Sequence, residues 1–430
     1  MVDTSRVLRD LGPVCESELL LHDLFNPMHL RMTVRFDHQI DDDLIREAWE
    51  KTKRVYPILD AVLEFDEGDT AFFRDDRTRI EAQDQSNHMY FAAAKDGCNV
   101  PVKTKIPLVP NTEFTANRMI AVSYYGDSVS VGSYHILIDG RGFQMVLGTF
   151  VYTYLALYTG HEDERPIVEL REGRSPEEYY VPADPQAFYA QEDFAPVPVY
   201  WLPLGCKGFW DDDMEYVEGV IWNGTIEVDA ADFMRLCKSN KANPSSMIAT
   251  LLGRAAYALN PEQQKDIVFG FTLSARDALG LKDSIANVVS DGVGYATRDE
   301  IEHKSLAEVS QRIRAELDQQ RTRDYILTYR RVFETFKRLP SFEQRTITYI
   351  GSFSIGDNDA HIAQMSMGTN GCANLYLFQV RDRFVLSLYH GEATQRYLDE
   401  FVKIFDELGV KSRITQRSRL ADLDASAPVV

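Results

Sequence analysis

Ser133-Tyr134-His135-Ile136-Leu137-Ile138-Asp139-Gly140-Arg141-Gly142 is an apolar run interrupted by an imidazole and, four residues on, by a carboxylate beside a glycine. Upstream, Met119 to Tyr125 and Ser128 to Ile138 are strand-like on either side of Gly126-Asp127, which predicts a hairpin. Downstream, Phe143, Val146, Leu147, Phe150, Val151, Tyr154, Leu155 and Tyr158 recur at helical spacing. His135 and Asp139 thus stand where a strand hands over to a helix, in a stretch otherwise suited to burial. Buried imidazole and carboxylate groups need partners, so the pair belongs either to a structural network or to an active site.

Similar grammar runs outward in both directions. Leu30, Met32, Val34 and Phe36 alternate with polar residues, a strand pattern, and Asp41-Asp42-Asp43 then offers a helix cap ahead of Leu44, Ile45, Ala48, Trp49, Thr52 and Val55. Pro57 ends that helix. Residues from about 161 to 215 are rich in Pro, Glu, Asp and aromatics and keep no period, which reads as a crossover linker. Beyond it, Tyr216 to Trp222 and Thr225 to Val228 predict a second hairpin around Asn223-Gly224. Met247, Ile248, Leu251, Leu252, Ala255, Ala256 and Leu259 predict a buried helix after Pro244. Strands are expected at Ile267 to Leu273 and near 346–352, 373–380 and 384–389, with helices near 304–320 and 394–408 and a frayed polar tail from Lys411. The expectation is two α/β layered domains: 1–165, a linker over 166–215, and 216–430.

Length and composition agree with this division. A chain of 430 residues exceeds one ordinary core. The net charge of −20 disfavours nucleic acid and anionic membranes as partners. No apolar run approaches the roughly 20 residues needed to cross a bilayer, and no signal pattern precedes the first strand, so a cytoplasmic location is expected. Cys15, Cys98, Cys206, Cys237 and Cys372 are scattered and odd in number, and neither C-x-x-C nor H-E-x-x-H occurs, so no disulfide framework and no metal are expected. Nucleotide-binding glycine motifs are absent, and His361 and His390 have no evident partner.

The H-x-x-x-D-G pattern of His135, Asp139 and Gly140 resembles that of acyltransferases of the chloramphenicol acetyltransferase-like superfamily, which includes condensation domains of peptide synthetases. Other stretches agree. Tyr56-Pro57-Ile58-Leu59-Asp60-Ala61-Val62-Leu63 resembles the step after the first family helix, Asn243-Pro244 to Leu252 the buried helix of the second domain, Ser274-Ala275-Arg276 with Ala286-Asn287-Val288-Val289 a later motif, and Tyr349 to Phe353 a strand reaching the site. The resemblance implies two domains of mixed sheet flanked by helices, with a tunnel between them. It implies His135 as general base, taking a proton from an acceptor alcohol or amine that attacks a thioester. It gives Asp139 a structural role with Arg276 as partner, and Gly140 the turn.

Two departures qualify the likeness. Condensation domains carry two adjacent histidines, and here the first position is Tyr134. The D-F-G-W-G motif of the plant BAHD branch is absent, Asp291-Gly292-Val293-Gly294 being a superficial echo. Tyr134, Asn287, Ser352 and Ser354 are candidates for contacting substrate or the oxyanion. Arg330 and Arg331, with Arg321, Arg323, Lys337 and Arg338, form the main basic cluster and are candidates for donor phosphates. The expected reaction moves an acyl group from coenzyme A, or from the phosphopantetheine of a carrier protein, to a small-molecule acceptor, with no tightly bound cofactor and a monomeric enzyme. Two alternatives stand beside it: a free-standing condensation enzyme acting on carrier-bound substrates, and a catalytically silent binding module.

Overall fold

The computed structural model describes residues 7–10, 29–65, 89–94, 99–135, 137–161, 195–197, 222–282, 284–336, 345–369, 374–390 and 393–419. In the first half, β1 (Val7–Asp10) precedes β2 (His29–Phe36), whose Leu30, Met32, Val34 and Phe36 point into the core. Asp41 then caps α1 (Asp42–Val55), its carboxylate accepting from the backbone N–H groups of Asp43 (2.9 Å) and Leu44 (3.0 Å). Short strands β3 (Ala61–Phe65), β4 (Met89–Ala93) and β5 (Val102–Lys103) lead to the hairpin of β6 (Ile120–Tyr125) and β7 (Ser128–Tyr134). β7 stops at Tyr134, earlier than the apolar run suggested, and α2 (Gly140–Thr159) follows after five intervening residues. α1 and α2 pack together on this sheet: Trp49 meets Phe150 edge to face at 5.1 Å, and the Tyr56 hydroxyl bonds that of Thr149.

The second half holds β8 (Trp222–Asp229), α3 (Ala230–Ser239), α4 (Pro244–Leu259), β9 (Ile267–Ser274) and the one-turn α5 (Arg276–Leu279). Then come β10 (Val289–Ala296), α6 (Arg298–His303), α7 (Leu306–Gln320), α8 (Arg323–Phe336), β11 (Arg345–Phe353) and β12 (Ile362–Thr369). It closes with β13 (Asn374–Val380), β14 (Arg383–His390), α9 (Ala393–Glu407) and β15 (Ser412–Arg419). α4 is buried on most faces, as its composition predicted, and Asn243 and Ser246 form a reciprocal capping box at its start.

Three sheets result, in the orders β1-β4-β3, β12-β2-β7-β6-β5 and β10-β9-β11-β13-β14-β8-β15. The large sheet is mixed, because β11 runs parallel to both β9 and β13 while its other pairs are antiparallel.

The structure corrects three expectations. Asn223-Gly224 is no turn: β8 runs straight through it, and Gly224 is required because an added Cβ would stand 2.2 Å from Leu398 of the overlying α9. The polar tail from Lys411 is ordered to Arg419 as edge strand β15, paired with β8. The second half also does not end at its own sheet. β12 crosses over and pairs antiparallel with β2, burying Met365 and Met367 in the first core.

Candidate active site

The motif carboxylate organises the site. Asp139 caps α2, with Oδ1 accepting from the Gly142 N–H at 2.8 Å. Arg276, at the start of α5, then closes on it as a fork: Nη1 to Oδ2 at 2.7 Å and Nη2 to Oδ1 at 2.9 Å. The Val288 N–H adds a fourth bond, to Oδ2 at 3.1 Å. Both oxygens of Asp139 thus hold two donors each, and the residue is fully buried. A carboxylate satisfied in this way has no capacity left for substrate, so its work is structural.

Arg276 reaches further. Its Nε donates to the Ser284 carbonyl and its Nη2 to that of Ala286, each at 2.8 Å. The guanidinium therefore pins the 284–288 segment of the second half against the first turn of α2. Gly142 allows the approach: a Cβ there would lie 2.1 Å from the Ile285 carbonyl oxygen. Gly140, expected to make the turn, opens α2 without a positive φ, and a Cβ there would meet only Ile350 at an ordinary 3.7 Å. The steric demand sits two residues beyond the motif glycine. The sequence hint was the second glycine of Asp139-Gly140-Arg141-Gly142. Arg141 bonds Gln144, and burial, then the charge of Arg276, lowers its pKa.

The pinned segment brings Asn287 to His135. The amide Nδ2 donates to His135 Nδ1 at 3.1 Å and to the His135 carbonyl at 3.3 Å. Its Oδ1 is buried with no hydrogen-bond partner among the described residues. The two faces of this amide select opposite tautomers: Nδ2 toward the ring leaves the proton on Nε2, whereas Oδ1 toward the ring holds Nδ1–H and leaves Nε2 as the base. His135 itself lies in the turn after β7, 9% exposed, at the seam of the two halves.

The other expected residues divide. Tyr134 packs in the first core, its ring 5.2 Å from that of His29. β11 does come to the motif from the second half, with Ile350 against Gly140. Ser352 lies two residues on, beyond a register shift and Gly351 at φ 101°. The Ser354 hydroxyl donates to Asp359 Oδ2 at 2.7 Å, which removes it as an oxyanion donor. α8 carries Arg330 and Arg331 and packs through Ile326 and Leu327 into the first core. The side chains of both arginines, like Lys337, Arg338 and the linker aromatics, lie outside the described residues. His361, expected to be alone, faces Asp37 at 3.1 Å.

Solved structures share the fold that carries this site. Polyketide synthase associated protein 5 from Mycobacterium tuberculosis superposes with a TM-score of 0.64 at 13% identity, over 93% of this chain and 97% of its own. TRI101 of F. sporotrichioides, complexed with coenzyme A and T-2, gives 0.62 at 9% identity, over 94% and 99%. The chain has the chloramphenicol acetyltransferase-like fold. The first condensation domain of the calcium-dependent antibiotic synthetase, in complex with a substrate analogue, shows the same two-domain fold at a TM-score of 0.58 and 12% identity, over 94% and 96%. No family model matches the sequence, and no curated protein does. The likeness is therefore one of backbone, and what the chloramphenicol acetyltransferase-like fold does in this chain must be argued from its residues.

Proposed function

We propose that the chain is an acyltransferase that moves an acyl group from a coenzyme A thioester to an alcohol or amine, with His135 as general base. The observation that carries this reading is the position of His135. Its imidazole sits at the seam, held by Asn287 from the opposite half, while the neighbouring carboxylate is fully neutralised by Arg276. Imidazole is the side chain best suited to accept and return a proton near neutral pH.

In the proposed reaction the acceptor O–H or N–H gives its proton to His135 Nε2 as the oxygen or nitrogen attacks the thioester carbonyl. Base action at Nε2 uses the Nδ1–H tautomer, for which the Asn287 amide turns from the orientation described above, its Oδ1 accepting from Nδ1–H and its Nδ2 giving up the His135 carbonyl. The tetrahedral intermediate collapses by breaking the C–S bond, and the imidazolium returns the proton to the departing thiolate. No covalent enzyme intermediate forms. Ser352 is the remaining candidate donor to the oxyanion, and Arg330 and Arg331 are the candidates for the donor phosphates.

Coenzyme A is favoured over carrier-bound donors because Tyr134 stands where condensation domains carry their first histidine, and because TRI101 holds coenzyme A in this fold. The test is free-thiol release from a panel of acyl-coenzyme A thioesters beside the same acyl groups on a carrier protein. Turnover with coenzyme A donors supports the reading. Turnover confined to carrier-bound donors would move the chain to the condensation class, and none with either would make it a binding module.

A further inference from the structure

At the far end of β2 from His135, three side chains from distant parts of the sequence converge. Asp37 and His38 follow β2 directly, and His361 ends the short helical segment that leads into β12. The Asp37 carboxylate lies 2.7 Å from His38 Nδ1 and 3.1 Å from His361 Nδ1. One ligand atom from each residue lies within 4.8 Å of the other two. At about 3.3 Å per residue, this cluster stands ~26 Å along the strand from His29, the register partner of Tyr134, so it is separate from the acyl-transfer site.

We propose that Asp37, His38 and His361 form a binding site for a divalent transition ion of the zinc class. The donor set, two imidazoles and one carboxylate, is the one such ions take, and it leaves a coordination position for water. Zinc bonds of about 2.0–2.1 Å in a tetrahedron set ligand edges of about 3.3 Å. Measured to one oxygen, Asp37 Oδ1, the imidazole nitrogens of His38 and His361 stand at 2.7 Å and 3.3 Å, and all three ligand atoms lie within 4.8 Å of one another, so the side chains need to close on the ion but not to change place.

A second observation separates this cluster from a chance surface ion pair: His38 is held on its other sides as a metal ligand would be. Its Nε2 lies 3.2 Å from the Tyr154 hydroxyl, which in turn accepts from the Asp41 N–H at 3.3 Å. Its ring stacks on Tyr158, 3.7 Å away and within 6° of parallel. When Nδ1 takes the ion, the ring proton moves to Nε2 and the hydroxyl turns to accept it, with no net charge change. Such an outer partner fixes the tautomer and orientation of a ligating histidine. The His38 side chain is only 11% exposed, whereas Asp37 and His361 remain open to solvent, which gives the ion a path in.

The site would staple the two halves. Asp37 and His38 belong to the first sheet, and His361 precedes the strand that the second half lends to it. Sequence spacing could not show this, because the ligands stand at positions 37, 38 and 361.

The test uses the untagged full chain, stripped of metal and titrated with zinc chloride alone. The expected result is one zinc per chain, with binding at least tenfold weaker in His361→Gln and in Asp37→Asn. Cobalt should give the visible d–d bands of a four- or five-coordinate site. A second readout on the wild type guards against variants that fail to fold: zinc should protect His38 and His361 from diethyl pyrocarbonate, read by peptide mass. No stoichiometric binding, equal binding in both variants, or no protection of these two histidines would overturn the proposal.

Discussion

Asp139 and Arg276 lie 137 residues apart in the chain and meet in a buried two-point ion pair, Nη1 to Oδ2 at 2.7 Å and Nη2 to Oδ1 at 2.9 Å. The first comes from the cap of α2 and the second from the start of α5, so the pair joins the halves at the site. Removing one partner leaves the other charge buried and alone, which costs about 3–5 kcal/mol. Arg276→Met and Asp139→Asn should each lose stability of this order in urea unfolding. The double variant should lose less than the sum, because the orphaned charge is gone.

The steric demand at Gly142 separates the two glycines of the motif. Gly142→Ala places a methyl 2.1 Å from a backbone oxygen, where no rotamer relieves it. It should destabilise by about 3 kcal/mol or more, or fail to fold. Gly140→Ala should leave the melting temperature nearly unchanged, since only ordinary contact with Ile350 awaits its Cβ.

Asn287 is a positioning residue in this account, and its variants should show it in the pH profile. Asn287→Ala should lower kcat and kcat/KM together by about 10–100-fold. Asn287→Asp supplies an oxygen that accepts from Nδ1–H and a charge that favours imidazolium. It should retain more activity and move the acid limb of the rate profile to higher pH. A merely structural asparagine would give equal losses and an unmoved limb.

Acid should destabilise the first core through His29. Burial beside the Tyr134 ring lowers its pKa from 6.5 to about 4. The unfolded chain takes up that proton below about pH 6.5, and the folded chain only near 4. The resulting stability is fully present above pH 6.5 and is lost as pH falls toward 4, about 3 kcal/mol in all. Urea midpoints across that window should show the slope, and His29→Gln should flatten it whatever its effect at neutral pH.

What could be read from the sequence was local. The β6–β7 hairpin, the cap at Asp41 and the apolar α4 each follow from residues within a turn or two of one another. What could not be read depends on distant partners. Asn223-Gly224 has a turn dipeptide's composition, yet its glycine answers to Leu398, which only the folded chain brings near. The polar stretch after Lys411 resembles a frayed tail because an exposed edge strand favours polar side chains. β12 pairs with a strand more than 300 positions earlier. Within the site, His135, Asp139, Arg276 and Asn287 stood out by their motifs, but Gly142 and the commitment of Ser354 to Asp359 needed coordinates.

The central claim is that His135 removes the acceptor proton. The most direct measurement is steady-state thiol release from the best acyl-coenzyme A donor, with and without acceptor, in wild type and in His135→Ala shown by urea unfolding to be folded. The account predicts a loss in kcat of about 10²–10⁴-fold in the variant, with donor binding unchanged. Equal turnover by the two folded proteins would contradict it and remove His135 from the chemistry.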